Sequence, residues 1–125
     1  MSSQDTTSAP AATARRIATA WDLETTGLGK KDRIIEVGFC HIDIDTGEAL
    51  FTESITVNPG IPIPRGSIRV HQITDEDVRN APPLEHMWGF IRRHLSGDAV
   101  RDRGFDHVAV VTHNGRMFDE PFLIR

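Results

Sequence analysis

The sequence predicts one α/β domain built on a mixed sheet, three antiparallel strands followed by a parallel fourth, with flanking helices. Three observations carry this prediction. Three β-rich segments follow one another with tight turns between them, a helical apolar period comes next, and a fourth β segment made almost only of valine and alanine follows it.

The opening stretch, residues 1–16, is rich in Ser, Thr and Ala, has no periodic apolar face and is expected to form a disordered tail. The folded domain is expected to occupy residues 17–125. Ile17 to Asp22 reads as a short buried strand that Thr25-Thr26-Gly27 ends with turn chemistry. Ile34 to Ile44 alternates and is β-branched, a second strand. Asp45-Thr46-Gly47 then forms a hairpin turn into a third, Leu50 to Val57. Links this short make an antiparallel meander.

Pro59, Pro62 and Pro64 exclude a regular central strand or helix over Asn58 to Arg65 and predict an extended loop. Thr74 followed by Asp75-Glu76-Asp77 has the signature of an N-capped short helix. Pro82 and Pro83 open a second helix, with Leu84, Met87, Trp88, Ile91 and Leu95 at helical spacing and Gly97 at its end. His107 to Thr112 is the fourth strand, apolar enough to be central and covered on both faces, and Phe118 to Arg125 starts another helix. A strand reached through a helical crossover lies parallel to its partner. The first and fourth strands therefore sit side by side, with their C-terminal ends at the sheet edge where ligands bind.

Composition bounds the function. The 125 residues are 38% hydrophobic and 26% charged, ordinary for a soluble globular domain. A formal charge of −4 excludes a broad basic surface, so any polyanion is held locally, by a few basic side chains, backbone groups or bound cations. No segment reaches the roughly 18 apolar residues of a membrane span, and the N-terminus lacks a secretory apolar core, so an intracellular, membrane-free protein is expected. Arg15 and Arg16 behind the Ser/Thr/Ala-rich leader raise organelle targeting, against which Asp5 and the scarcity of basic residues weigh. The lone Cys40 has no intramolecular partner and reads as a buried, inert thiol.

Asp22 and Glu24 lie two apart at the end of the first strand, so their side chains share one face. Carboxylates this close repel unless one keeps a proton or a cation neutralises both. A divalent cation does so, and oxygen-only ligands suit Mg²⁺ or Mn²⁺ rather than Zn²⁺. Asp119, just beyond the fourth strand, arrives at the same edge beside the turn His113-Asn114-Gly115. Any one of these acids alone reads as a cap or a solvated side chain. Their joint pattern points to a metal site.

The segment Asp22-Leu23-Glu24-Thr25-Thr26-Gly27-Leu28 resembles the first motif of the DEDD-type (DnaQ-like) 3′–5′ exonucleases. His113-Asn114-Gly115-Arg116-Met117-Phe118-Asp119-Glu120-Pro121-Phe122-Leu123 resembles their second motif, in the form of the three-prime repair exonucleases. Val70-His71-Gln72-Ile73-Thr74 is similar to the family's His-Gly-Ile-Thr segment, with Gln72 where glycine is usual.

The resemblance implies a ribonuclease H-like fold and a nuclease that hydrolyses phosphodiester bonds at DNA or RNA 3′ ends by a two-metal mechanism. It implies Asp22, Glu24 and Asp119 as catalytic ligands of two Mg²⁺ or Mn²⁺ ions. It also implies that Leu28 and Phe118 pack against the terminal nucleotides, while Asn114 and backbone around Thr25 hold the substrate. The family pattern continues into a third motif, a general-base histidine followed by a fourth aspartate, which these 125 residues do not contain. The domain is accordingly expected to be incomplete at its C-terminus, impaired in catalysis, and prone to self-association through an exposed edge. The alternative is a non-catalytic nucleic-acid or partner-binding module on a degenerate exonuclease scaffold. DNA and RNA, and repair, proofreading and RNA turnover, stay undistinguished.

Three remaining features take the plainer reading. Trp21 and Trp88 belong to the core, Lys30-Lys31-Asp32-Arg33 is a solvated hairpin face, and His41, His86, His94 and His107 are solvated or core-edge residues without acidic partners.

Overall fold

The computed structural model describes residues 14–112. Its strands are β1 (Arg16–Thr25), β2 (Ile34–Asp43), β3 (Ala49–Thr56) and β4 (Asp106–Thr112). Its helices are α1 (Arg65–His71), α2 (Asp75–Val78), α3 (Trp88–Ser96), preceded by a 3₁₀ turn over Leu84–Met87, and α4 (Asp98–Arg101). The sheet order is β3-β2-β1-β4. β1 pairs antiparallel with β2 and parallel with β4, and β2 pairs antiparallel with β3, as the sequence predicts.

Strand alternation sorts side chains between the two faces. Trp21, Leu23, Val37 and Phe39 point to one side and form a buried cluster with Ile34, Val57 and Ile91, against which Phe90 and Leu95 of α3 also pack. A bulge at Glu24/Thr25 shifts the β1–β2 register. Ile35 belongs to a separate buried cluster with Ile63 and Val78, flanked by Ile68 of α1 and Ile73. The other face of the sheet carries Ala20, Asp22, Gly38, Cys40, Thr52 and Ser54, which with Trp21, Phe39 and Glu53 line a shallow hollow of about 400 Å³.

The elements depart from expectation in five places. Arg65–His71 is helical rather than the end of a loop, because Pro64 sits at its N-cap with extended backbone and no proline falls within it. β4 is an end strand among the described residues, and Val108, Val110 and Val111 are 45%, 41% and 48% exposed, so it is not covered on both faces. Trp88 starts α3 on its outer side and is 39% exposed, not core. Cys40 is half-buried on the open face. Finally, β1 begins at Arg16. Arg15 pairs with Asp43 at 3.4 Å, and Arg16 pairs with Asp45, so both arginines are tied to the β2–β3 turn.

The histidines differ most. Thr19 and His41 are fully buried and His94 is 2% exposed. Thr19 Oγ1 lies 3.0 Å from His107 Nε2 and 2.8 Å from His41 Nδ1. His41 Nε2 lies 2.8 Å from His94 Nδ1, and His94 Nε2 lies 3.1 Å from Glu53 Oε1. One arrangement of protons satisfies every group with three neutral imidazoles and a carboxylate. His107 Nε2–H donates to Thr19, Thr19 O–H to His41 Nδ1, His41 Nε2–H to His94 Nδ1, and His94 Nε2–H to Glu53. His94 stacks on Phe39 with ring centroids 4.5 Å apart, and His41 on Phe51 at 4.1 Å. Gly97 completes the set from outside. It takes φ +91 to end α3, and a Cβ there would sit 2.4 Å from His107 Nδ1.

Burial, reinforced by His94, His107 and Arg103, pushes the His41 pKa down to about 4 from an ordinary 6.5. The unfolded chain takes up a proton at this residue below about pH 6.5, whereas the folded chain does so only near pH 4. Its contribution is therefore fully present above pH 6.5 and is lost as pH falls towards 4, by on the order of 3 kcal/mol. His94 and His107, also lowered by burial, act in the same direction. The window lies above that of Asp45, Asp77 and Asp98, whose carboxyls are held below the usual 3.8. Urea melts at stepped pH should show stability falling between pH 6.5 and 4; a flat profile over that span would contradict this proton arrangement.

Candidate active site

Asp22 and Glu24 project from the open face near the end of β1, as alternation requires, with Trp21 and Leu23 anchoring the strand from below. Asp22 is exposed, its Oδ1 accepts from the Leu23 N–H at 2.9 Å, and it makes no ion pair among the described residues. Opposite it in β2 stands Gly38, which leaves the space above it open among the described residues. Glu24 is half-buried and pairs in register with Glu36.

The loop after the carboxylates is held from two sides. Within it, Thr26 N–H donates to Arg33 O at 2.9 Å, Thr26 O–H to Asp32 Oδ1 at 2.7 Å, Gly29 N–H to Asp32 Oδ2 at 2.7 Å, and Arg33 N–H to Thr26 Oγ1 at 2.9 Å. Thr25 is buried, and its O–H donates to Gly27 O at 2.8 Å. From outside, α1 reaches in. Ser67 O–H donates to Thr26 O at 2.6 Å, and His71 Nε2 lies 3.2 Å from Thr25 O. The Ile73 N–H donates to His71 Nδ1 at 3.0 Å, so the His71 proton is on Nε2 and points at the Thr25 carbonyl. Both ring nitrogens are used structurally, which removes His71 as a general base.

Two backbone positions matter here. A Cβ on Gly27 would lie 2.7 Å from Asp32 Oδ2, inside the carboxylate that closes the loop. Gln72 closes α1 with φ 63, a left-handed residue, which is the physical reason a glycine suits that position. The result of this bracing is that Leu28 stands 78% exposed on a rigid support beside the carboxylates.

The first and last β strands complete the geometry. Trp21 pairs with Thr112, so the chain leaves β4 level with the residue before Asp22. Asn114, Phe118 and Asp119, and with them His113, lie outside the described residues. Among the described residues no three His, Cys, Asp or Glu side chains gather as a metal set. The donors present nonetheless fit a hard divalent cation: two carboxylates on one face of β1, of which Asp22 makes no ion pair among the described residues. Sequence reasoning located the carboxylates but missed Ser67, Asp32 and the structural use of His71, whose roles depend on partners up to 46 residues away in sequence.

Comparison with known proteins agrees with this geometry. Residues 19–121 match the family RNase_T, described as Exonuclease. The chain is 35% identical over 106 residues to "Exonuclease DPD1, chloroplastic/mitochondrial" of Arabidopsis thaliana, covering 82% of this chain and 31% of that protein. The nuclease domain of 3′hExo, a DEDDh family member bound to rAMP, superposes with a TM-score of 0.67 at 18% identity, covering 90% of this chain and 58% of that one. Escherichia coli Exonuclease I in complex with a dA13 oligonucleotide gives a TM-score of 0.67 at 16% identity, covering 86% and 23%. At these identities the two structures share the ribonuclease H-like fold with this chain. The chain spans about a third of the Arabidopsis relative (31%) and less than two thirds of both structures. No helix among the described residues is long and apolar enough to cross a membrane.

The Gly27–Asp32 contact yields a direct test. Gly27→Ala should lower stability by about 1–3 kcal/mol, the usual cost of forcing a methyl group into a packed site. In an Asp32→Ala background the same change should cost less than about 0.5 kcal/mol, since the obstructing carboxylate is gone. Additive losses in denaturant melts would show that the contact does not govern Gly27.

Proposed function

The chain belongs to the exonuclease family RNase_T, of the DEDD type its motifs resemble, and from that premise we propose that it is a metal-dependent 3′–5′ exonuclease hydrolysing phosphodiester bonds at nucleic-acid 3′ ends. The observation that supports this reading is the parallel pairing of Trp21 with Thr112, by which the described part of β4 ends beside the residue before Asp22. In this reading the exonuclease domain begins with Arg15 and Arg16 rather than at Ile17, and Asp22, Glu24 and Asp119 hold Mg²⁺ or Mn²⁺. Held there, such ions would supply activation of a water molecule and stabilisation of charge at the phosphoryl group.

The chain's own residues do the rest. Leu28 offers an exposed apolar surface for the terminal base, with Phe118 as its counterpart, and Asn114 binds the substrate's polar groups. Thr25 acts through the loop: its hydroxyl and carbonyl are used internally, so it keeps Leu28 and Glu24 in fixed relation. Arg15 and Arg16 are committed to the fold through Asp43, Glu48 and Asp45, which makes them part of the domain rather than of a targeting leader. We place the protein inside the cell, where nucleic-acid 3′ ends are available.

Calorimetric titration with Mn²⁺ should show binding that Asp22→Ala abolishes. On an end-labelled oligonucleotide, Asp22→Ala should slow 3′ nucleotide release about 100-fold or more, as loss of several kcal/mol of charge stabilisation requires. Equal Mn²⁺ binding and equal digestion by the two proteins would overturn the reading. Oligonucleotide binding without any Asp22-dependent digestion would favour a non-catalytic binding module instead. Self-association through the half-exposed valines of β4 is also part of this proposal. Sedimentation velocity should show an oligomer growing with concentration and lost in Val110→Lys; a concentration-independent monomer would refute it.

A further inference from the structure

Beside the Lys30–Arg33 turn lies a groove of about 940 Å³, lined by Lys30, Lys31, Asp32, Arg33, Leu84 and Trp88 among others. We propose that this groove is a second nucleic-acid contact, taking the unpaired strand upstream of the 3′ end, with Trp88 stacking on a base and Lys30, Lys31 and Arg33 neutralising its phosphates. The proposal rests on the exonuclease reading and adds to it a strand contact outside the motif residues.

Charge is the first argument. Arg15, Arg16, Arg79, Arg93 and Arg101 each sit against a carboxylate, whereas Lys30, Lys31 and Arg33 are exposed and make no ion pair among the described residues. The carboxylates beside them do not cancel this. Asp32, which also lines the groove, is held by Thr26 O–H and Gly29 N–H, and Glu85 is the second acid of the lining, so three cationic side chains outnumber two carboxylates. In a chain of formal charge −4 this is a local reversal of sign, suited to a polyanion.

The aromatic residue is the second argument. Trp21 is 6% exposed, whereas Trp88 is 39% exposed at the head of a helix whose Ile91 is fully buried. An accessible indole beside basic side chains is the combination by which single strands are held without sequence readout, since every base has a face to stack. An acidic peptide would use the lysines and leave the indole idle, and paired bases could not stack on it.

The third argument is position. The basic turn is fastened to the active-site loop by Thr26 N–H to Arg33 O and Arg33 N–H to Thr26 Oγ1, both at 2.9 Å. The groove is thereby joined through two hydrogen bonds to the loop that follows Asp22 and Glu24.

The test is fluorescence anisotropy in EDTA, where no digestion occurs, with a labelled oligothymidylate of about 12 nucleotides, within the span of known single-strand sites. Lys30→Glu combined with Lys31→Glu, both fully surface changes, should weaken binding at least about tenfold and flatten the salt dependence by about 1.4 in log–log slope, for two lost contacts. Trp88→Ala should weaken it roughly 5- to 100-fold, and Trp88→Phe much less. With an abasic strand of equal length Trp88→Ala should bind like wild type. Unchanged binding in the lysine and Trp88→Ala variants, or no binding by wild type, would overturn the groove. Polyglutamate or abasic strand binding as tightly as the oligonucleotide would overturn it in favour of a general anion or acidic-peptide surface. Asp22→Ala separates the two readings. Groove binding retained while digestion shows no Asp22 dependence sinks the nuclease alone; Asp22-dependent digestion with indifferent groove variants sinks the groove alone.

Discussion

The pairing of β1 along both its edges is the constraint from which the remaining structure follows. With β2 antiparallel on one side and β4 parallel on the other, the strand cannot rotate about its axis, so its period of two becomes a fixed partition. Trp21 and Leu23 go under α3, and Asp22 and Glu24 go to the open face. A one-residue slip would bury both carboxylates and expose the indole of Trp21. The apolar contacts of one face therefore stabilise the placement of the acidic groups on the other, which repel each other and could not hold that arrangement alone.

Beyond Glu24 the chain leaves the sheet, and its shape passes to hydrogen bonds. α1 has no buried residue of its own, and its sequence, Arg-Gly-Ser-Ile-Arg-Val-His, carries almost no apolar period. What keeps it in place is Ile68 against the second buried cluster, with Ser67 and His71 donating to the carbonyls of Thr26 and Thr25. That helix is consequently illegible as a helix from its own residues. Its value lies in satisfying carbonyls that the loop turns away from the sheet, which would otherwise be left without partners near a buried position.

The chain of Thr19, His41, His94, His107 and Glu53 is a different kind of constraint. Each residue comes from a different strand or helix, and no spacing in the sequence relates them. Buried polar groups are tolerated where every donor and acceptor is matched. The matching here depends on imidazole tautomers that only the assembled core imposes. It also explains why α3, although amphipathic, carries a histidine on its inner face: His94 fills the place of an apolar residue while linking β2 to the carboxylate of β3.

By itself the sequence determined the sheet, its antiparallel meander and parallel return, the capped start of α2, the glycine end of α3, and the side-by-side placement of Asp22 and Glu24. These are local properties, written in alternation, turn chemistry and capping within a few residues of each other. Only the tertiary structure decided that Trp88 is partly exposed along a groove with Lys30, Lys31 and Arg33, that Asp32 is held by Thr26 and Gly29, that β4 lies at the sheet edge of the described residues, and that His71 is a clamp. Each of these depends on which distant surface meets the side chain. A residue's own neighbours in sequence set the direction in which it points; what it finds there is set by elements tens of residues away, whose contacts carry no local period.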